Sequence, residues 1–462
     1  MNKTPMPSRP NLALTGLLLV LVGYLLVGTL YALRTPPWQA PDEPAHYNYI
    51  RQLAAGQMPV MERQDYDETY RAEIVSAGFA PSYTIDPLTY EDWQPPLYYL
   101  LQTPLFLLVD GALLPLRLFS LLLGAGVVLM TFGVARQVWP GRAWLALTAT
   151  AFVAFLPQHV AMLASVNNDS LAELLIAALL WLLLLATGNR PDANPQGSQT
   201  RDRLWIAIGV LLGLGFLTKA TVYIMAPVVA LALLLRYRKS WTALVRAGLL
   251  TFLPAGLLGT LWWGRNLLVY GWPDLLGKEA HDAAVVGQKL TTTWISEIGP
   301  LPALRSFLQT TFQSFWGQFG WMGVLMDSRI YLILFLFTLI VLAGLLWQLL
   351  SPPSKSRRQR QSATDSRSPI PDPQSLILTI TFLLSLALYL GYNVTYVQHQ
   401  GRYLFPALIP ISLAVAVGIW AWVRPLIKRW PPLAWLLPAG FALALAGLDL
   451  LALFRFIVPA LT

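Results

Sequence analysis

The fold turns on 95-PPLYYLLQTPLFLLVDGALLP-115. The stretch is apolar enough to enter a bilayer, and if it crosses, every later connector changes side. It is short for a span, Pro104 interrupts it, and Asp110 with Gly111 closes it; a spanning helix needs about 20 mostly apolar residues. With this segment kept on one side, about eleven spans remain: near 11–33, 116–135, 143–162, 170–187, 204–218, 220–235, 243–264, 330–350, 375–392, 403–423 and 433–456. The connectors on the N-terminal side, with Arg246, then hold 19 of the 32 Lys and Arg but only four acids. That is +15 on this side against −6 on the other. Cytoplasmic connectors carry such a basic excess, so the N-terminus is expected inside. A crossing at 95–115 would instead put 236-RYRK-239 and 355-KSRRQR-360 outside. The segment therefore reads as a helix lying in or dipping into the outer interface.

Composition agrees with a membrane protein. The chain has 462 residues, 56% hydrophobic and 12% charged, about half the charge of a soluble domain. It has no Cys, which excludes disulfides and thiolate chemistry. The net charge of +9 collects on one membrane side, so a membrane surface, not nucleic acid, accounts for it. Residues 11–33 are long for a signal sequence and lack a convincing cleavage site, and read as an uncleaved anchor. The expectation is one all-α, polytopic membrane-embedded unit over 1–462 in the cytoplasmic (inner) membrane. It has two large outer segments, 34–115 and 265–329. The Ser-, Pro- and Arg-rich connector 351–374 reads as a disordered cytoplasmic loop.

On this topology the unusual polar residues fall on the outer side. Asp42, Glu43 and His46 follow the first span, and 167-NNDS-170 joins the third to the fourth. Lys219 lies between the fifth and sixth, Arg265 ends the seventh, and Gln398, His399, Gln400 and Arg402 precede the tenth. Taken singly, each has an ordinary explanation. A lone Lys or Arg at a helix end is a snorkelling anchor, Asn167–Asp169 is a turn with a helix cap, and the tryptophans form an interfacial belt. Glu173 and Asp449, inside spans, read as satisfying polar neighbours. Chance, however, would scatter such residues over both sides. In 38-WQAPDEPAHYNYIRQLAAG-56, Asp42 reads as a helix N-cap, Pro44 fits a first turn and Gly56 stops the helix. His46, Tyr49, Ile50 and Leu53 form one face of an amphipathic helix resting on the bilayer.

An ionised acid at the interface with cations nearby suits sugar transfer from a lipid-phosphate carrier. The leaving phosphate is already good, so cations must stabilise its developing charge. Lys219, Arg265 and Arg402 are the candidates for binding the donor phosphate. Asp42 would take the proton from the acceptor hydroxyl, with Glu43 or Asp169 orienting the acceptor or binding a divalent cation. His46, Asn168 and Gln400 would contact substrate. Trp262, Trp263, Trp316 and Trp321 would line the interface or the sugar cleft. A single displacement inverts the anomeric centre.

Five stretches, 41-PDEPAHY-47, 167-NNDS-170, 262-WWGRNLLVYG-271, 314-SFWGQFGW-321 and 400-QGRYLFP-406, with 95-PPLYYLL-101 and 116-LRLFSLLLG-124, give the chain a family likeness. It resembles the polytopic membrane glycosyltransferases of the GT-C fold, relatives of the protein O-mannosyltransferases and aminoarabinose transferases. The resemblance implies a polyprenyl-phosphate sugar donor and an outward-facing site. It also implies Asp42 as the catalytic member of the acidic pair, Asp169 as a second functional carboxylate, and a juxtamembrane helix over 96–115. The lysine that precedes the proline pair in the aminoarabinose enzymes is Gln94 here. The acceptor is left as a hydroxyl-bearing glycan, lipid or protein. Two rivals stand beside this reading: an O-antigen-type polymerase or ligase, which would use the loop 265–329, and a transporter or flippase of lipid-linked sugars.

Overall fold

The computed structural model describes residues 10–188, 195–351 and 372–462. The expected loop 351–374 thus lies, but for its ends, outside the described residues. Among the described residues the regular structure is helical apart from a two-stranded ribbon, β1 (Gln318–Phe319) and β2 (Val324–Leu325). Helix α1 (Pro10–Arg34) is followed by α2 (Glu43–Ala54), α3 (Glu68–Ser76) and α4 (Leu97–Leu108) in the first large connector. The bundle continues through α5 (Leu113–Val138), α6 (Ala143–Ala154), α7 (Pro157–Leu163), α8 (Asp169–Thr187), α9 (Pro195–Phe216), α10 (Met225–Tyr237) and α11 (Trp241–Val269). Short helices α12 (Lys278–Ala284), α13 (Thr291–Ile298) and α14 (Pro300–Trp316) form the second large connector. Helices α15 (Ser328–Leu350), α16 (Pro373–Thr395), α17 (Leu408–Arg429) and α18 (Leu433–Leu451) complete the chain.

Among the described residues nine helical segments are long and apolar enough to cross a membrane, and the bent pair α6–α7 makes a tenth. The remaining expected span, 204–218, is the apolar end of α9, which packs along α11. Helix α4 does not join them. Its 12 residues reach about 18 Å at 1.5 Å per residue, against about 30 Å of hydrocarbon. It ends where Asp110 and Gly111 turn left-handed, φ 52° and 70°. Tyr47 donates its hydroxyl to the Gly111 carbonyl at 2.8 Å, and a Cβ on Gly111 would meet that hydroxyl oxygen at 2.8 Å.

Pro157 explains the 63° bend between α6 and α7: proline lacks the donor and disfavours helical backbone before it. His159 repairs the break, its Nδ1 lying 2.8 Å from the Val153 carbonyl and its Nε2 2.7 Å from Glu173. Glu173 therefore does serve a polar neighbour. Asp449 does not; neither carboxylate oxygen has a partner, and only its carbonyl accepts from Tyr31.

Helix α2 departs from expectation. Its His46–Tyr49–Ile50 face is at most 1% exposed and packs on α4 instead of lying on lipid. Tyr49 stacks on Tyr99 with ring centroids 3.8 Å apart, in a cluster with Tyr98, Leu116, Val166 and Leu171. The opposite side is held by Asn48, whose amide donates to the carbonyls of Ile85 and Leu88 at 2.6 and 2.9 Å. Protein covers α2 on both sides because its apolar and amide faces each find a partner in the connector itself. The start of α2 is thereby fixed at one end of the bundle.

Candidate functional site

Adjacent in sequence, Asp42 and Glu43 part in space. Asp42 has left-handed backbone, φ 68°, a region that Asp enters more readily than most residues. It occupies the expected N-cap position, but its side chain makes no capping bond. The backbone turn aims it away from α2. There its Oδ2 accepts from Arg402 Nη2 at 2.8 Å and its Oδ1 from the Tyr90 hydroxyl at 3.1 Å. Glu43 faces inward and is fully buried. Its oxygens accept from Arg117 Nε at 2.7 Å and Nη2 at 2.6 Å, and from the backbone N–H groups of Val166 and Trp38, both at 3.1 Å. Arg117 donates its remaining hydrogens to the carbonyls of Ala32, Thr35 and Pro36. Glu43 is thus a strut between α1, α2, α5 and the turn before α8, with no oxygen left to orient an acceptor.

The second carboxylate, Asp169, opens α8 and pairs with Lys219 Nζ at 2.7 Å. Asn167 shapes the turn by accepting the Asp169 N–H at 2.8 Å. Between the two ion pairs stands His46, whose Nδ1 lies 2.8 Å from the Tyr99 hydroxyl. Asn168 donates to the same hydroxyl at 3.2 Å. Burial, with Lys219 close by, holds the His46 pKa down to about 3, so the ring is neutral at pH 7. Burial alone would raise the Asp42 carboxyl, but the Arg402 guanidinium and the Tyr90 hydroxyl hold it below its ordinary value.

Arg402 is placed by its loop. Gln400 accepts from its Nε at 2.7 Å, and Ser314 of α14 accepts the Gly401 N–H at 2.7 Å. Gly401 touches α14 so closely that a Cβ would stand 2.3 Å from the Thr311 carbonyl oxygen. The same stretch of chain, through Trp321, donates to the Trp38 carbonyl at 2.9 Å. The stretches 38–43, 314–321 and 400–402, far apart in sequence, therefore brace one another.

Arg265 shares no partner with Lys219 or Arg402. Its guanidinium is committed to Asn266 at 3.0 Å, Tyr270 at 3.2 Å and the Pro59 carbonyl, and it lies over the rings of Trp262 and Tyr270. It anchors the first connector. Of the four tryptophans expected to line the interface or the cleft, Trp263 and Trp321 are partly exposed and Trp321 reaches Trp38 beside Asp42. Trp262 and Trp316 are buried, and Trp263 donates to Tyr223. Among the described residues no three His, Asp or Glu side chains are grouped to hold a metal ion.

Sequence reasoning missed Arg117, Tyr90, Tyr99 and Glu91. Arg117 carried a signal, a cation within an apolar run, but its partner is 74 positions away. Glu91 and Asp92 are raised to about 8 by burial; for Glu91 the Asp42 charge adds to it, and for Asp92 the Gln52 hydrogen bond falls short of offsetting it. Both are then protonated in the native state at neutral pH and ionised when unfolded. The stability these two groups contribute is therefore fully present below the ordinary carboxylate range and is lost as pH rises from there through about 8. Asp92→Asn flattens this slope, which thermal melts of detergent-solubilised protein across that range will read.

Two solved structures share this arrangement of helices. The oligosaccharyltransferase of Archaeoglobus fulgidus, solved with a tethered acceptor peptide, superposes with a TM-score of 0.54 at 15% identity, over 96% of this chain and 54% of that one. The present chain thus spans about half the length of that enzyme. ArnT from Cupriavidus metallidurans in the apo state gives 0.50 at 16% identity, over 97% of this chain and 74% of the other. The fold is GT-C-like. A family model described as dolichyl-phosphate-mannose-protein mannosyltransferase matches residues 93–263, from the approach to α4 through most of α11. No curated protein matches the chain. On this GT-C-like scaffold, the paired acids and cations all lie where α2, α8, the α9–α10 turn and the loop before α17 meet.

Proposed function

We propose that the protein is an inverting membrane glycosyltransferase. It moves a sugar from a polyprenyl-phosphate carrier to a hydroxyl-bearing glycan, lipid or protein. The basic excess of the opposite connectors supports a site at the outer face of the cytoplasmic membrane, with the N-terminus inside. One observation carries the reading: Asp42–Arg402 and Asp169–Lys219, from four distant segments, form two ion pairs around one neutral histidine. The family description, which names a dolichyl-phosphate sugar, supports the donor class.

The chemistry follows from the pairing. With Arg402 on its carboxylate, Asp42 is a weak base. A donor phosphate competes for the same guanidinium, and as Arg402 turns to it Asp42 gains basicity. Asp42 then takes the acceptor's hydroxyl proton as that oxygen attacks the anomeric carbon. The carbon–oxygen bond to phosphate breaks, and its electron pair leaves with the polyprenyl phosphate. Arg402 and Lys219 stabilise the charge that develops there. The base would thus be switched on by the substrate it serves.

The test is incubation of the purified protein and a membrane extract with radiolabelled polyprenyl-phosphate mannose, glucose and aminoarabinose, following the label. Transfer from one carrier is the expected result; transfer from none overturns the reading. Gly401→Ala should then lower the rate by about 10²-fold, because an ångström of displacement at a catalytic group is that costly. Rate measurements beside a thermal melt will separate this from unfolding.

A further inference from the structure

The turn that brings Tyr90 to Asp42 leaves polar atoms unmatched. Thr89 accepts from the Asp92 N–H and Glu91 from the Gln94 N–H, both at 2.9 Å. Tyr49 donates to the Gln94 carbonyl at 3.0 Å, and the Leu97 N–H reaches the Leu217 carbonyl, two residues before Lys219, at 2.8 Å. The segment is therefore held rigidly against the site. Yet Glu91 Oε2, Gln94 Oε1 and Asn168 Oδ1 are buried and without a hydrogen-bond partner. Gln94 is 5% exposed and Asn168 fully buried. Glu91 lies in the field of Asp42, Lys219 and Asp169 and acts on the Tyr99 hydroxyl that Asn168 touches.

Buried acceptors without donors destabilise a fold, and native structures hold few of them. Gln94 Oε1 and Asn168 Oδ1 call for a ligand that supplies donors, and the protonated Glu91 carboxyl offers that ligand a donor in return. A phosphate diester supplies none and suits Arg402 and Lys219. Sugar hydroxyls supply several. Resting on the glycosyl-transfer reading, we propose that Glu91, Gln94 and Asn168 form the subsite that receives the hydroxyl groups of the transferred sugar, beside the phosphate position at Arg402 and Lys219.

Glu91→Leu and Gln94→Leu in the full chain test this. The Michaelis constant for the carrier that the wild type discharges should rise tenfold or more. Inhibition by undecaprenyl phosphate, which has no sugar, should stay within twofold. The melting temperature should hold or rise, because an unmatched buried polar group has been removed. An unchanged Michaelis constant, an equal shift for undecaprenyl phosphate, or a fall in melting temperature overturns the proposal. Wild-type protein that discharges no carrier overturns the glycosyl-transfer reading instead, before any variant is compared.

Discussion

Asp42→Asn lowers the rate of sugar transfer by about 10²- to 10⁴-fold, the range over which a positioned base acts, and leaves the protein folded. Asparagine keeps the shape of the side chain and still accepts from Tyr90 through one oxygen. It cannot take a proton from an acceptor hydroxyl. The sharing of Arg402 adds a second, less obvious expectation. With no carboxylate opposite it, the guanidinium is free for the donor phosphate, so the Michaelis constant for the donor stays level or falls while the turnover number collapses. A variant that had merely distorted the site would raise the one as it lowered the other. Steady-state rates with the carrier identified above, alongside size-exclusion profiles, check both halves. Retained turnover would remove Asp42 as the base.

Glu43→Ala has the opposite signature: it acts on the fold. Removing one partner of a buried ion pair costs about 3–5 kcal/mol, because the charge left behind cannot be hydrated. Here Arg117, 3% exposed, would be that charge. Two backbone N–H groups, of Trp38 and Val166, would lose their acceptor as well. Replacing the pair by apolar residues, Glu43→Leu with Arg117→Met, often restores stability elsewhere. It should do so only in part here, since the carbonyls of Ala32, Thr35 and Pro36 depend on Arg117. Thermal melts of the single and double variants give the comparison. A double variant as stable as the wild type would show that the strut is dispensable.

The two carboxylates illustrate how far sequence reasoning reaches. Their charge, their place just beyond a span and the helix that follows were all legible in 41-PDEPAHY-47. Their division of labour was not, because it rests on one left-handed residue. A positive φ at Asp42 turns its side chain toward Arg402 and leaves the next side chain facing Arg117. Arg265 shows the same limit from the other side. A cation at a helix end is visible in a sequence, but the Pro59 carbonyl and the Tyr270 ring that claim it belong to other segments.

By itself the sequence determined the membrane-spanning helices, the exclusion of 95–115 from them, and the set of polar residues at one end. Those follow from hydropathy, helix length and charge, all read locally along the chain. Only the tertiary structure decided which acid meets which cation, which face of α2 is covered, and where Glu91 and Arg117 act. Partners at distances of 74 to 360 positions are chosen by how helices pack, and a helix's periodic apolar face shows that it packs but not against what.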